Sequence, residues 1–167
     1  MVYIFIENKI KKDECSYYES TDAIVVRQPL IALNEYNLKF YKRVFRKIKK
    51  IINLAPKKPQ IIDYNIIANL EKNYFFNNTK KEYFGCSVGW DNTPRHKNYG
   101  QVFSNKTPEI FQHTFKILLQ ESKKIKNEFL FINAWNEWAE GMYLEPDEEN
   151  GYNYLEVIKK TKEAVLK

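Results

Sequence analysis

The chain contains little cysteine, histidine or glycine, and these scarcities argue against several kinds of site. Its 167 residues include two cysteines, two histidines and five glycines. Cys15 and Cys86 lie far apart without CxxC or zinc-type spacing, so we expect reduced thiols rather than a disulfide. His96 and His113 support neither a histidine-rich metal site nor a Ser-His-Asp triad. A glycine-rich phosphate loop is also missing, and we expect neither a metal nor a cofactor.

Long apolar runs are missing as well. No stretch approaches the roughly 18 residues of a membrane span, so we expect no transmembrane segment. The first residues, Met1–Ile10, have neither the basic start nor the apolar length of a signal peptide. If Met1 is the true start, we expect the chain to be cytoplasmic.

The composition is sufficient for a folded core. Hydrophobic residues make up 44% of the chain and aromatic residues 16%. A chain of this size buries roughly 68–70% of its surface on folding. Because no change in composition divides the sequence, we expect one domain over residues 1–167.

The net charge is +6, and many of the basic residues fall in one segment. Such a segment is typical either of a nucleic-acid surface or of the solvated side of a helix that packs its apolar residues inward. Few aromatic residues interrupt the lysines, so we expect no nucleic-acid partner; attraction to an anionic membrane surface is a further alternative. The basic residues are Lys39, Lys42, Arg43, Arg46, Lys47, Lys49, Lys50, Lys57 and Lys58.

Short apolar runs alternate with helical periodicity along the chain. The runs predict strands at Val2 to Ile6, Ala23 to Val26, Tyr83 to Val88 and Phe129 to Ile132. Apolar residues at three- and four-residue steps predict helices over Tyr41 to Ile52, Ile110 to Leu119 and Tyr154 to Val165. This alternation predicts an α/β fold whose strands are parallel and adjacent in chain order.

The most informative segment runs from Phe129 to Asp147, FLFINAWNEWAEGMYLEPD. Polarity begins at Asn133, where the apolar strand ends, and two carboxylates follow at Glu137 and Glu140. Side chains alternate along a strand, so carboxylates three residues apart face one cavity only if the chain turns near Trp138. Gly141 is placed to permit that turn.

In a close pair of carboxylates, one group can stay protonated and act as an acid while the other stays ionised and acts as a base, because like charges push the two pKa values apart. Cleavage of a glycosidic bond needs such a pair. The rings of Trp135, Trp138 and Tyr143 offer flat faces to sugar C–H groups, and Asn133 and Asn136 can bond hydroxyls. The alternative for an isolated ExxE is a helix-capping carboxylate beside a solvated neighbour.

A second polar group, WDNTPR, follows another apolar run. Trp90, Asp91, Asn92 and Arg95 would lie at the carboxyl end of that strand, where substrates bind in α/β proteins. The alternative is that Asp91 and Asn92 are turn formers before Pro94. For Arg95 the alternatives are a sugar-phosphate clamp and a structural ion pair.

The acidic residues after Tyr143 imitate part of a calcium loop. Pro146 interrupts the pattern, and Asn150 stands where an EF-hand requires glycine, so we expect a solvated acidic loop. The residues concerned are Glu145, Asp147, Glu149 and Glu156.

The chain resembles the WbsX-type family of polysaccharide-biosynthesis proteins, which is similar to the family-99 glycoside hydrolases. The resemblance is carried by NAWNEWAEG, YLEPD, GYNYLE and WDNTPR, and more weakly by Asp63-Tyr64 and Asp22 to Val26. It implies a (β/α)8 barrel and a role in lipopolysaccharide or surface polysaccharide biosynthesis. It also implies that Glu137 acts on the sugar 2-hydroxyl, leading to a 1,2-anhydro intermediate, and that Glu140 is the general acid and later base. Trp90, Trp135 and Trp138 would be sugar platforms.

The chain departs from the family pattern in its length, because a (β/α)8 barrel typically takes about 250 residues. The predicted strands supply about half of the eight required. We therefore expect the C-terminal half of a barrel, left open, with a separate polypeptide as the candidate source of the other half. Such a chain would be inactive alone. The alternative is a non-catalytic remnant or a carbohydrate-binding module.

Overall fold

The computed structural model of the chain describes residues 4–7, 22–39, 58–74 and 81–167. Strands and helices alternate through these ranges. The strands are β1 (Ile4–Glu7), β2 (Ala23–Val26), β3 (Gln60–Asp63), β4 (Lys81–Tyr83), β5 (Gly85–Ser87), β6 (Gln101–Ser104), β7 (Phe131–Asn133), β8 (Asn136–Glu137) and β9 (Met142–Tyr143). The helices are α1 (Leu30–Lys39), α2 (Tyr64–Lys72), α3 (Thr93–His96), α4 (Pro108–Lys124) and α5 (Asn153–Leu166), with 3-10 turns at Lys97–Tyr99 and Trp138–Glu140.

The strands that precede the hairpin pair in parallel. β2 lies between β1 and β4, β5 pairs with β7, and β3 pairs with β6. Only Phe84 separates β4 from β5, and Phe131 N donates to Phe84 O over 3.0 Å beside this break. The carboxyl ends of β2, β5 and β7 therefore lie at one edge.

Gly85 lets β5 pass close to the end of β2. A β-carbon at Gly85 would lie 1.9 Å from the carbonyl oxygen of Val26, closer than any two such atoms can approach. Glycine is therefore required where the chain bends between β4 and β5.

The main core lies between the strands and the helices. It joins buried residues of α1, α2, α4 and α5 to β5. In α4, Phe111 is fully buried and stacks on Phe115 with ring centroids 5.6 Å apart. Thr107 caps this helix by accepting from Ile110 N over 3.4 Å, and Pro108 follows.

A smaller cluster covers the opposite face of the strands. It consists of Ala23, Val25 and Tyr83 with Phe131 packed against them. Phe129 contacts Tyr83 edge-on at 5.6 Å and is 54% exposed. This face is less covered than the face toward the helices.

The α/β prediction is confirmed, including the parallel pairing of the runs at Tyr83 and Phe129. The prediction that the strands are adjacent in chain order is wrong, because β3 and β6 pair with each other, so β2 pairs with β4 and β5 with β7. The predicted strand from Tyr83 to Val88 is interrupted at Phe84, and the last predicted strand begins later, at Phe131. The predicted helix over Tyr41 to Ile52 lies outside the described residues. A closed or half barrel stays a prediction.

Candidate active site

The carboxylate segment forms a tight hairpin after β7. Glu137 ends β8, which pairs antiparallel with β9. The 3-10 turn Trp138–Glu140 links them, and Gly141 follows with φ 58°. This left-handed conformation favours glycine, and a β-carbon at Gly141 would lie 3.0 Å from Asp91 Cβ. The expected turn near Trp138 is confirmed.

The two carboxylates have different surroundings. Arg95 Nη1 donates to Glu140 Oε1 over 2.7 Å, and the Glu140 side chain is 16% exposed. The backbone amide of Asp91 donates to the Glu140 carbonyl oxygen over 2.6 Å. Glu137, by contrast, is exposed. Of the alternatives for Arg95, the structure shows the ion pair.

Two indoles lie open to solvent beside this turn. Trp135 is 54% exposed and Trp138 48%. Trp138 stacks on Tyr143 with ring centroids 3.7 Å apart and planes 15° apart, and its Nε1 donates to Glu145 Oε2 over 2.5 Å. An exposed ring fixed at its edge in this way offers a rigid face to an apolar surface such as that of a sugar.

Tyr143 is held from two sides. Its hydroxyl donates to Asp147 Oδ2 over 2.9 Å, and Lys106 Nζ lies 5.3 Å from its ring centroid. Burial and the bond to Asp147 raise the pKa of Tyr143 to about 12, so the hydroxyl keeps its proton. Burial tends to raise the pKa of Asp147, but bonds from Asn150 and Tyr143 outweigh it and lower that pKa.

Trp90 differs from the expected arrangement. It is 8% exposed and belongs to the main core, so its ring lacks the open face that the expected sugar platform requires. The reason is that the segment after β5 pairs with β6: Phe103 N donates to Trp90 O over 2.8 Å, and Asp91 bridges to Val102. Its Nε1 has no hydrogen-bond partner among the described residues.

Asp91 and Asn92 form local bonds around the start of α3. Asp91 Oδ1 accepts from Thr93 N over 2.9 Å and from Thr93 Oγ1 over 2.6 Å. Asn92 Oδ1 accepts from Gln101 N over 2.7 Å. These bonds match the turn-forming interpretation. Asp91 also lies beside Glu140, and contact of either residue with substrate stays a prediction.

The two asparagines of the segment separate. Asn133 Nδ2 donates to Gln28 O over 2.8 Å, and both residues line a cavity of about 140 Å³ at the ends of β2, β5 and β7. Arg27 lines the same cavity. Asn136 is exposed and faces Tyr143 in the hairpin register.

Comparison with known proteins identifies the family. The model of the family described as glycosyltransferase WbsX matches residues 1–158. The chain belongs to the glycosyltransferase WbsX family. The resemblance carried by NAWNEWAEG and WDNTPR is thereby confirmed, whereas similarity to the family-99 hydrolases stays a prediction.

Two relatives of this WbsX-family chain come from Xanthomonas campestris pv. campestris, strains B100 and ATCC 33913. Both are named "Uncharacterized protein WxcX", and each is 36% identical to the chain over 80 residues. The match covers 46% of the chain and 12% of each relative. The chain therefore spans a small part of these relatives' length. No solved structure matches it.

Sequence reasoning missed two features of the WbsX-family site. Lys106 was not predicted, because it follows β6, whose single apolar pair gave little strand signal. The buried Glu71 was not predicted either. Its signal was its spacing, since Tyr64, Ile67, Ala68 and Glu71 form one buried face of α2.

Within residues 22–39, 58–74 and 81–167, no three His, Cys, Asp or Glu side chains are grouped as metal ligands. None of the helices in the described part of the chain has the length and apolar character needed to cross a membrane.

Proposed function

We propose that the chain is part of a glycan-processing enzyme of lipopolysaccharide or surface polysaccharide biosynthesis, with Glu137 and Glu140 as its catalytic carboxylates. The observation that carries the proposal is the hairpin in which Glu137 and the turn Trp138–Glu140 follow one another, with the exposed indoles of Trp135 and Trp138 in the same stretch of six residues. The family description, a glycosyltransferase, supports a sugar substrate.

The division of roles follows the resemblance to family-99 hydrolases. Glu140 donates a proton to the leaving oxygen and later accepts one, while Glu137 acts on the 2-hydroxyl. Glu140 Oε1 accepts from Arg95, so donation requires either the other oxygen or movement of Arg95. The acceptor is water in hydrolysis and a sugar hydroxyl in transfer, and product analysis distinguishes these.

The substrate would lie along the surface formed by the hairpin and by the carboxyl ends of β2, β5 and β7. Trp135 and Trp138 stack on sugar rings, and Tyr143 positions Trp138. The polar residues proposed to contact substrate are Asp91, Asn92, Arg95, Asn133 and Asn136.

The parallel strands support a further proposal, that residues 1–167 form part of a (β/α)8 barrel. The face bearing Tyr83, Phe129 and Phe131 would be its interior. Phe129 and Ile61 are 54% and 68% exposed, which fits a surface that other strands cover. A separate polypeptide, or another segment of a longer protein, would supply those strands.

The test compares Glu140→Gln and Glu137→Gln in the protein completed with the missing strands. Glu140→Gln keeps the shape but cannot donate a proton, so natural glycans should turn over about 10²–10⁴-fold more slowly and activated aryl glycosides much less so. Glu137→Gln should slow both. Glu163→Gln, an exposed glutamate on α5, is the matched control. Equal rates for wild type and both site variants would refute the assignment.

A carbohydrate-binding module without catalysis is the second candidate. Two observations favour it. Arg95 already pairs with the Glu140 carboxylate, and the stacked rings of Trp138 and Tyr143 could bind a sugar without any acid catalysis. Calorimetric titration with polysaccharide fragments that shows binding without turnover in the completed protein would select it.

A further inference from the structure

The core contains a buried carboxyl group that is not among the proposed catalytic or substrate-binding residues. Glu71 in α2 is fully buried. Ser87 Oγ is hydrogen-bonded to its Oε1 over 2.5 Å, and Ser87 N donates to its Oε2 over 3.3 Å. Tyr64, two turns earlier on the same helix face, donates its hydroxyl to Ser87 O over 2.5 Å. One helix thus binds the amide, the carbonyl and the hydroxyl of a single strand residue.

Ser87 is the last residue of β5, and the chain that follows it reaches the catalytic turn directly. Ser87 pairs in register with Asn133, and Val88 N donates to Asn133 O over 3.2 Å. Four residues after Ser87, Asp91 N donates to the carbonyl oxygen of Glu140 over 2.6 Å. Residues 87–91 are therefore hydrogen-bonded at one end to Asn133, the last residue of β7, and at the other end to Glu140 in the hairpin.

We propose that Glu71 and Tyr64 are positioning residues that fix Ser87 and, through residues 87–91, set the geometry of the Glu140 turn. The inference rests on the proposed function in treating that turn as the active site. Neither residue touches the reacting groups, so neither is a catalytic residue.

The charge state of Glu71 matters because none of the described residues places an opposite charge against it. The titratable groups that face it are Tyr64 on its own helix and Cys86 on β5, while Tyr154 of α5 faces Tyr64. Burial raises the pKa of Glu71 to about 8, although its bonds with Ser87 act in the opposite direction. Burial also raises the pKa values of Tyr64 and Cys86, so both stay protonated while Glu71 ionises. In the neutral acid the proton on Oε1 is donated to Ser87 Oγ while Oε2 accepts from Ser87 N; ionisation places an unpaired charge in the core and turns the Ser87 hydroxyl into the donor to Oε1.

The experiment uses the full chain labelled with ¹⁵N at its three tryptophans, which give three indole N–H resonances. The pH is raised from 6 to 9 while the carboxyl carbon of ¹³C-labelled Glu71 is followed in parallel. The expected result is that the indole resonances of Trp135 and Trp138 shift with the same midpoint as Glu71. Glu71→Gln preserves the shape and cannot ionise; its amide oxygen can accept from Ser87 N while its amide nitrogen donates to Ser87 Oγ. It should abolish the shift, whereas Glu163→Gln should leave it unchanged.

A second variant protects the test against simple loss of folding. Tyr64→Phe removes only the bond to Ser87 O, so at pH 6 its indole resonances should already lie toward the alkaline positions of the wild type. Tyr152→Phe, at an exposed position, is its control. Indole resonances that do not follow the Glu71 titration, or that follow the same curve in Glu71→Gln, would overturn the proposal.

Glycan binding is scored separately in the same spectra. O-polysaccharide released from a lipopolysaccharide preparation is added at pH 6, and its effect on the indole resonances tests the proposed function. The pH-linked shift tests the positioning role, so the failure of either is visible without the other.

Discussion

Replacing Glu71 by glutamine should change how the stability of the chain depends on pH. Glu71 has its pKa raised by burial from 4.5 to about 8. Between these values the unfolded chain carries an ionised Glu71 while the folded chain keeps the proton. Unfolding therefore releases a proton, and the free energy of unfolding falls as the pH rises.

The magnitude follows from the same two values. One proton corresponds to ~1.4 kcal/mol for each pH unit, so the interval from 4.5 to about 8 amounts to about 5 kcal/mol. That is comparable to the whole stability of many domains, which is roughly 5–15 kcal/mol. The other described groups whose pKa is shifted lie outside this window: Asp63, Glu109, Glu128 and Asp147 have lowered pKa values, and Tyr64, Lys81, Cys86, Tyr143 and Tyr154 have raised ones.

Urea unfolding followed by circular dichroism at pH 5, 6, 7 and 8 measures the effect. The difference in stability between Glu71→Gln and wild type should grow by ~1.4 kcal/mol per pH unit and level off above about pH 8. Glu163→Gln should show no such growth. A constant difference between Glu71→Gln and wild type across this range would refute the inference that folding keeps Glu71 protonated.

Two further substitutions test the packing around Gly85 and the role of the Trp138 ring. Gly85→Ala places a β-carbon 1.9 Å from Val26 O and should lower the free energy of unfolding by about 3 kcal/mol or more. The control Gly151→Ala, at φ 54° but with open space around it, should lower the free energy of unfolding by about 1 kcal/mol, and similar losses for both variants in urea unfolding would contradict the close approach. Trp138→Ala should weaken glycan binding about three- to tenfold in calorimetry, and the exposed Tyr152→Ala should not, so an unchanged affinity in Trp138→Ala would remove this ring from the binding surface.

Strands with continuous apolar sequence could be predicted, and strands with mixed sequence could not. The strand Ala23–Val26 is buried along its whole length, so its four consecutive apolar residues predict a strand. β3 and β6 each have a single apolar pair between two polar residues and lie beside lysines or turn formers. Their pairing with each other depends on tertiary structure that no local pattern reports.

The candidate site divides in the same way between local and long-range information. The turn at Trp138 follows from the spacing of Glu137 and Glu140 and from Gly141, all within five residues, and it could be predicted. The Arg95–Glu140 pair joins residues 45 positions apart, and the sequence could offer it only as one of two alternatives.

The inward turn of Trp90 and the buried carboxyl of Glu71 are long-range effects of the same kind. The Trp90 ring is buried because the segment that contains Trp90 pairs with β6, and the sequence does not predict β6. Glu71 lies on a helix face whose spacing indicates burial, but a glutamate at such a position is ordinarily assigned to solvent. Only the position of Ser87 opposite that face explains how the carboxyl group is accommodated, because the serine supplies both of its hydrogen-bond partners. The feature least visible in the sequence is therefore the one that joins the core to the turn Trp138–Glu140.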